Sequence, residues 1–424
     1  MGVNFIVIAL VALMRTPVFI TLLACALLGF YISEIPLEVI SVEIYRIADT
    51  PMLVALPLFT LTGYLLAAGN TSARLVQLSQ ALLGWLPGHL ALIALITCAL
   101  FTAFTGASGI TIVAIGALLY PALKQVGYSE RFSLGLVTSS GSLGLLLAPS
   151  LPLILYGIIA QQMDLPEPFT IKELFIAGIM PALLMIALLY AWSIYAGGST
   201  IQSQPFSLAA LKQALSASRW EVPLPLLVFW GIYSGTLAIS ETATLITAYV
   251  LFAQVVLYRD IPLRNLPAIT LQAMTMIGGI LLILAVSLAL SNVLIDAQIP
   301  TRLFEWIQQH VQSKWGFLVL LNLFLLVLGA FLDIFSATII MVPLLLPIAI
   351  AYGIDPIHLG IIFLANMQIG YFTPPVGMNL FISSHRFNKP ITELYRSTLP
   401  FMGVLLVALL LITYAPWFSM GLLK

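Results

Sequence analysis

The chain has 424 residues, of which 61% are hydrophobic and only 8% are charged. Soluble globular domains carry about 25% charged residues, so this composition excludes a soluble protein and indicates that most of the surface faces lipid. The 16 basic residues are balanced by 16 acidic ones, which gives no indication of nucleic-acid binding.

Apolar segments long enough to cross a bilayer recur from one end of the chain to the other. They lie near residues 16–33, 51–69, 132–160, 175–195, 222–257, 267–295, 357–384 and 398–420. The first segment lacks a small-residue cleavage site, so it is expected to be a retained helix rather than a signal peptide. Mixed polar and apolar stretches near 71–86 and 298–313 are expected to be helices along the membrane interface. The segment 197–221 is expected to be the cytoplasmic connector between two halves of the chain.

Two further apolar stretches, 89–123 and 315–350, are interrupted in the middle. The interruptions at 105–109 and 329–333 are rich in glycine and contain polar residues. A long apolar stretch with such a break is better explained by two half-helices than by one spanning helix. The pattern therefore predicts two re-entrant hairpins, each entering the membrane and returning to the same side.

The basic residues test this topology. With both stretches treated as hairpins and a cytoplasmic N-terminus, the inside loops hold Arg15, Arg74, Lys124, Arg131, Lys212, Arg219, Arg259, Arg264, Arg386, Lys389 and Arg396. The outside loops hold Arg46, Lys172, Arg302, Lys314 and Lys424. This excess of basic residues inside has the sign that the positive-inside rule requires. The first hairpin is therefore expected to open from the cytoplasm and the second from outside.

The two hairpin regions also share a pattern of glycine and proline. Each of four positions in the first recurs 226 residues later in the second: Pro121, Gly127, Gly144 and Pro149 reappear as Pro347, Gly353, Gly370 and Pro375. Both regions consist of a hairpin, a glycine turn and a helix broken by glycine and proline. Units of opposite orientation with the same layout predict an inverted repeat.

The broken helices indicate ion binding. Segment 141–150 contains Pro149, and segment 370–377 contains Pro374 and Pro375, so neither can be a continuous helix. A break at mid-membrane frees carbonyl oxygens, which are costly in hydrocarbon unless something binds them. Sodium is a hard cation that suits oxygen ligands. A single proline kink would be explained by bonds to neighbouring helices, but two breaks related by the repeat favour ion and substrate sites.

Asp333 is the most informative single residue, because it lies at the tip of the second hairpin, deep within an apolar stretch. A carboxylate there is expensive and usually functional. Capping of the following half-helix is the alternative role, since Asp is a preferred N-cap residue. Asn322, Asn366 and Asn379 could equally join helices or contact a ligand. Thr105 and Asn366 are predicted as substrate contacts.

Several motifs, in order along nearly the whole chain, resemble the large membrane subunit of tripartite ATP-independent periplasmic (TRAP) transporters. They are Gly106–Gly109 with Pro121–Lys124 and Gly127–Tyr128, Gly141–Gly144 with Ala148–Pro152, Gly231–Gly235 with Glu241–Ala243, Phe331–Asp333, and Gly353–Gly360 with Ile369–Phe381. The last pair carries the longest match.

The resemblance implies an elevator mechanism, in which a transport domain of hairpins and broken helices slides against a scaffold. It implies sodium-coupled uptake of a small organic anion, a carboxylate or sulfonate, across the bacterial inner membrane. It further implies two partners: a small four-helix membrane subunit, expected as a separate polypeptide, and a periplasmic binding protein that delivers the substrate. Na⁺ is the transported coupling ion, and neither enzymatic activity nor an organic cofactor is expected.

Two sodium sites follow from the resemblance. The first falls on Gly106, Ser108, Ser142, Gly144 and Ser150, and the second on Gly329, Asp333, Gly370, Thr373 and Val376. Backbone carbonyls supply part of the second site. This sequence departs from the family's Ser-rich first tip at Ala107 and Gly109, and Ala148 replaces the first Pro of a common Pro-Pro-Ser, so the first site has fewer hydroxyls.

The predicted fold is an all-α, ion-transporter-like membrane protein of elevator type, with inverted repeats, two re-entrant hairpins and two broken helices. The predicted divisions are scaffold helices and an interfacial helix at 1–88, the first hairpin and broken helix at 89–163, scaffold, connector and interfacial helix at 164–314, the second hairpin and broken helix at 315–385, and a C-terminal scaffold helix at 386–424.

Three other functions are alternatives to a TRAP transporter subunit. A sodium-coupled anion symporter of related fold could work without a binding protein. An intramembrane serine protease could use Ser108 within the Gly-x-Ser-Gly pattern at 106–109, but it needs a histidine at membrane depth, and all four histidines fall at predicted segment ends. A passive channel has no need of a doubled, broken-helix ion site.

Overall fold

The computed structural model describes residues 18–32, 50–163, 168–197 and 205–423, with positions 36, 38, 41, 42, 45 and 165 between them. These residues form helices, turns and loops without a strand. The all-α prediction is therefore confirmed for the described part of the chain. The predicted cytoplasmic N-terminus, most of the first outside loop and residues 198–204 of the connector lie outside the described residues.

Two series of helices follow one another. The first comprises α1 (Val18–Ile32), α2 (Ala55–Ala68), α3 (Thr71–Leu83), α4 (His89–Thr105), α5 (Ser108–Gln125), α6 (Glu130–Ser140), α7 (Leu151–Gln161) and α8 (Ile171–Gly197). After α9 (Leu208–Ala217) and α10 (Pro223–Tyr233), the second comprises α11 (Ile239–Phe252), α12 (Leu266–Asp296), α13 (Ile299–His310), α14 (Lys314–Phe331), α15 (Ile334–Ala351), α16 (Pro356–Gly370), α17 (Met378–Phe387) and α18 (Ile391–Tyr414), followed by the short α19 (Trp417–Met420). Eight helices within the described residues are long and apolar enough to cross a membrane, or nine if a bent pair counts as one span.

The two series are repeats of one unit. Helix α15 has the bounds of α5 displaced by 226 residues at both ends, and α16 starts at the same displacement from α6. Packing repeats as well, because α1 lies against α12 as α11 lies against α2. Each break holds a cis proline bond, Ala148–Pro149 in one repeat and Pro374–Pro375 in the other. The structure thus confirms the internal repeat over most of each half.

The hairpins α4–α5 and α14–α15 run in opposite directions beside the long helix α12. From its tip, α5 runs toward the start of α12, since Val113 and Gln272 line the same cavity. From its tip, α15 runs toward the end of α12, since Pro347 and Ile295 line a second cavity. Both tips stop near the middle of α12, so the hairpins are re-entrant and inverted, as expected.

The broken helices form the centre of the molecule. Every residue from Leu151 to Ala160 in α7, and from Ile357 to Gly370 in α16, is buried. A helix that is apolar on all sides is stable only when protein surrounds it. The hairpins and α18 pack around α6, α7 and α16. The hairpins and broken helices therefore form most of the buried apolar core.

The apolar segment 222–257 is not one helix but two antiparallel ones, α10 and α11. The start of α10 lies beside the end of α11, because Tyr249 Oη donates to the Trp220 carbonyl at 2.9 Å and the Trp220 amide donates to Tyr258 Oη at 3.1 Å. A turn with positive φ at Gly235 joins the helices, which suits glycine. The chain therefore returns to its starting side, as the charge-based topology requires for Arg219 and Arg259.

A buried ion network joins α3 to the segments flanking α10 and α11 at this same end. Arg74 on α3 donates to Glu221 at 2.6 Å and to Asp260 at 2.7 Å, and it lies 3.7 Å above the ring of Tyr258. Burial alone would raise the pKa of Asp260, but hydrogen bonds from Arg74 and Asn70 lower it from its ordinary value of 3.8. The network joins the interfacial helix to the segment before α10 and the loop after α11.

Candidate functional site

The second hairpin tip is closed by its own side chains. Asp333 is the N-cap of α15, and its Oδ1 accepts from the amides of Phe335 and Ser336, both at 3.0 Å. The remaining amide, of Ile334, donates to Tyr371 Oη at 2.8 Å. All three leading amides of α15 therefore have partners within the protein. The capping role considered for Asp333 is real, and the carboxylate also lines the central cavity.

The first hairpin tip differs at the equivalent position, which is Ala107. Alanine cannot cap a helix, and no side chain caps α5. Within the described residues, the amides of Ser108, Gly109 and Ile110 have no hydrogen-bond acceptor. The leading amides of a helix are a favourable place for negative charge. The two tips are therefore chemically unlike: the second carries a carboxylate, and the first presents bare backbone donors.

The second broken helix crosses the second hairpin in close backbone contact. A Cβ on Gly370 would lie 2.6 Å from both Cα and C of Gly329. Beyond the break, the Gly377 amide donates to the Ala330 carbonyl at 2.9 Å, and Thr373 Oγ1 donates to the Ile369 carbonyl at 2.9 Å. The break thus wraps around the end of α14. The structure brings Gly329, Gly370 and the segment from Thr373 to Val376 together. Asp333 lies nearby, because the amide of the next residue, Ile334, donates to Tyr371 Oη.

The first broken helix crosses the first hairpin in the same way. A Cβ on Gly144 would lie 2.1 Å from the Ala99 carbonyl oxygen of α4. Gly106 lies against Leu151, the residue after Ser150. Ser150 Oγ donates to the Leu145 carbonyl, closing the break on itself. Of the residues predicted for the first sodium site, Gly106, Gly144 and Ser150 therefore lie around the hairpin and the break.

The other two residues predicted for the first site join the two repeats. Ser142 Oγ donates to the carbonyl of Gln368 at 3.1 Å, and these two positions are themselves 226 residues apart. Ser108 Oγ donates to Asn379 Oδ1 at 2.7 Å. Asn379 is not among the predicted site residues, and only the fold shows that it connects the first tip to the second broken helix. Both predicted sodium sites remain predictions.

The two residues predicted as substrate contacts do not line the cavity. Thr105 is fully buried and packs against Gly63 of α2. Asn366 is fully buried too, and its Nδ2 donates to Asn322 Oδ1 at 2.7 Å and to the Ile362 carbonyl at 2.8 Å. Asn322 in turn bonds to Thr413 of α18 at 3.2 Å. In this structure Asn366 joins α14, α16 and α18.

Both tips open into one cavity of about 770 Å³ between the hairpins and the helices α2 and α12. The hairpins and α17 contribute its inner wall, and α2 and α12 its outer wall. The lining residues are Gly106, Ala107, Ser108, Gly109, Ile110, Val113, Ala114, Asp333, Phe335, Ser336, Tyr371, Met378 and Ile382 on the inner side, and Tyr64, Ala67, Ala68, Ile269, Gln272, Met276, Gly279, Ile280 and Ile283 on the outer side. A concave site with few polar groups is typical of small-molecule binding.

The geometry gives Ser108, the serine of the Gly-x-Ser-Gly pattern, no base among the described residues. Ser108 Oγ donates to an amide oxygen, and among the described residues it has no histidine partner. His89 and His358 are the two buried histidines, and His358 bonds to Ser419 and the Thr413 carbonyl, far from Ser108 in the sequence. Within the described part of the chain, no group of three His, Cys, Asp or Glu side chains could hold a metal ion. Oxygen ligands for a cation would come from Asp333, hydroxyls and carbonyls.

Comparison with known proteins agrees with this arrangement. The chain is 33% identical over 97% of its length to the C4-dicarboxylate TRAP transporter large permease protein DctM of Rhodobacter capsulatus, covering 97% of that protein. It is 28% identical over 97% of its length to the ectoine TRAP transporter large permease protein TeaC of Halomonas elongata, covering 96% of that protein. The fold is similar to that of the YdaH transporter from Alcanivorax borkumensis, with a TM-score of 0.59, 14% identity and coverage of 87% and 85% of the two chains.

A family model described as the DctM component of the tripartite ATP-independent periplasmic transporters matches residues 5–418. This match spans both repeats and therefore includes both hairpins and both broken helices. The chain belongs to this family: it is a multi-pass membrane protein, the large permease of a TRAP transporter, and not an enzyme.

Proposed function

We propose that this permease couples the inward movement of sodium to uptake of a small organic anion across the bacterial inner membrane. The observation that carries the proposal is the pairing of unlike hairpin tips in one cavity. The Asp333 carboxylate lies on one side and the uncapped amides of α5 on the other. A cation and an anion would each find a complementary partner there, so binding of one favours binding of the other.

The cation side is built from oxygen atoms. Asp333 accepts two amide bonds through Oδ1 alone, which leaves Oδ2 for another partner. Carbonyls in the break after Gly370 and at the end of α14 lack α-helical partners. Those of Ala330 and Gly370 accept one amide bond each, from Gly377 and Thr373, which leaves a second lone pair on each oxygen for a cation. Carbonyl and carboxylate oxygens are the ligands that a hard cation prefers. These contacts support a sodium site at the second tip, while the site at the first tip rests on the repeat.

The anion side is the start of α5. Gly109 has no side chain to cover the backbone, and Ala107 has only a methyl group. The amides of Ser108, Gly109 and Ile110 can therefore donate directly to a carboxylate or sulfonate in the cavity. Because Asp333 faces the same cavity, an anion without sodium would be repelled there. This electrostatic dependence is the physical basis proposed for coupling.

The surface between the hairpins and the helices α2 and α12 is suited to a sliding movement of the hairpins. Helix α12 faces the tips with the apolar residues Met276, Gly279, Ile280 and Ile283. Further along α12, the Ser287 hydroxyl donates to the Ile339 carbonyl of α15 at 3.1 Å, and sliding would have to break this bond. The cavity extends along the first half of α12, toward the end of the protein that carries Arg74, Arg259 and Arg264. Basic residues mark the cytoplasmic side. We therefore assign this structure to an inward-facing state of an elevator.

The proposed complex includes a periplasmic binding protein and a small membrane subunit. The family match supports both partners, and a stand-alone sodium-coupled symporter is the alternative. Proteoliposomes that hold this chain alone should take up little substrate, and addition of the cognate binding protein and small membrane subunit should restore uptake. Full activity of the lone chain in a sodium gradient would favour the stand-alone symporter.

A further inference from the structure

The central cavity has one polar end and a long apolar wall. At the tips, Ser108, Asp333 and Ser336 offer polar groups. Below them, Val113 and Ile382 on the hairpin side face Met276 and other apolar residues on α12. This wall continues for several helical turns and is apolar except for Gln272 and Tyr64. A substrate bound by one end at the tips would therefore place its remaining atoms among hydrocarbon side chains.

The charges of the cavity-lining residues limit the chemistry of the substrate atoms that lie along the apolar wall. Among the described lining residues, the one ionisable carboxylate is Asp333, and none is Lys, Arg or His. One anionic group can be matched by the amides of α5 and by a sodium ion at the second tip. A second anionic group, several ångströms further along, would meet no cation and only two polar side chains, those of Gln272 and Tyr64. Burying an unpaired carboxylate is strongly unfavourable.

We propose that this permease selects a monoanion with an apolar body, such as a branched-chain or aromatic monocarboxylate, over dicarboxylates. The inference rests on the proposed function, because the anionic head uses the sodium-dependent site at the tips. Met276 on α12 and Met378 on α17 both line the cavity, and their flexible thioethers adapt to bodies of different shape. Selection against a second carboxylate then comes from the missing positive charge, not from cavity size.

The test uses the purified membrane complex of this chain and its small subunit, so that the binding protein's own selectivity does not enter. Thermal unfolding is measured with 4-methylpentanoate, phenylacetate or succinate, each in sodium and in potassium buffer. The two monocarboxylates should stabilise the complex in sodium, with affinity about tenfold or more tighter than succinate. Equal or tighter sodium-dependent binding of succinate would overturn the selectivity proposal and leave sodium coupling intact. Binding that is the same in potassium would instead count against the sodium site.

A charge substitution tests the cause of the selectivity. Met276→Lys adds a cation to the apolar wall and should improve succinate binding relative to phenylacetate by about tenfold. Leu271→Lys is the matched control, since Leu271 lies on the same helix, is 68% exposed and does not line the cavity. An unchanged succinate-to-phenylacetate ratio in a folded Met276→Lys complex would contradict the proposal. If that variant does not fold, the wild-type ligand series alone decides the question.

Discussion

Gly63 of α2 lies directly against Thr105 at the tip of the first hairpin. A Cβ on Gly63 would be 2.4 Å from Cα of Thr105 and 2.9 Å from the carbonyl oxygen of Phe104. A scaffold helix and a hairpin tip thus touch backbone to backbone. In an elevator this contact must form in the inward-facing state and break when the hairpin moves.

Gly63→Val should therefore disfavour the state seen in this structure. The added side chain would collide with backbone atoms, which cannot move aside as a flexible side chain can. We expect uptake to fall and the unfolding free energy to decrease by about 1–3 kcal/mol, the usual cost of overpacking. Gly278→Val is the control, because no atom lies within 4 Å of a Cβ at that position. Uptake and thermal unfolding of Gly63→Val equal to those of the control would show that the contact is unimportant.

Gly370→Ala tests the crossing of the second broken helix and second hairpin. Its methyl group would lie 2.6 Å from the backbone of Gly329 and would push apart the two segments proposed to hold sodium. The sodium concentration for half-maximal uptake should rise, with a stability loss of about 1–3 kcal/mol. Gly403→Ala on α18 has open space around its Cβ and should behave like wild type. A normal sodium dependence in Gly370→Ala would separate this crossing from the ion site.

Arg74→Met tests the ion network of the scaffold. The substitution keeps much of the side-chain volume but leaves Glu221 and Asp260 without their cation, and their side chains are only 2% and 10% exposed. Removing one partner of a buried pair costs about 3–5 kcal/mol, so thermal unfolding in detergent should occur at a clearly lower temperature. Lys124→Met breaks a pair with Glu130 whose side chains are 45% and 37% exposed, and it should cost less than about 1 kcal/mol. Equal effects of the two substitutions would rule out a special role for the network.

The sequence predicts the parts of this fold that interrupt a regular pattern. Gly106 and Gly329 mark polar breaks in apolar stretches, and the recurrence of Gly144 at Gly370 reveals the repeat. The two helices within 222–257 could not be separated in this way, because apolar residues continue on both sides of the short turn at Gly235. There the charge balance on either side of the segment is the more reliable signal.

Individual site residues are harder to predict, because polar side chains inside a membrane protein also bind one another. Asn366, like Asp333, lies in the middle of an apolar stretch of the sequence, yet its side chain bonds to Asn322 and to its own helix. The importance of Asn379 depends on Ser108, 271 residues away in the chain. The apolar wall at Met276 depends on how α12 faces the tips. Each of these relationships exists only after the chain has folded.

Asp333→Asn separates the capping role from ion binding. Asn caps a helix about as well as Asp, so unfolding without sodium should stay close to wild type. Loss of the charge should weaken sodium binding, and Thr373→Val, which removes only a hydroxyl group, should show a milder loss. The matched control is Asp355→Asn, because Asp355 caps α16 through the amides of Ile357 and His358 and does not line the cavity. If uptake by Asp333→Asn and by Asp355→Asn depends on sodium concentration in the same way, Asp333 acts only as a helix cap.

The most direct measurement is substrate uptake by the full complex in proteoliposomes, with sodium inside, outside, on both sides or replaced by potassium. If the paired tips couple a cation to an anion, uptake against a concentration gradient requires sodium directed inward. It should cease when sodium is equal on both sides without another driving force. Equal uptake with potassium replacing sodium on both sides would contradict sodium coupling at these tips.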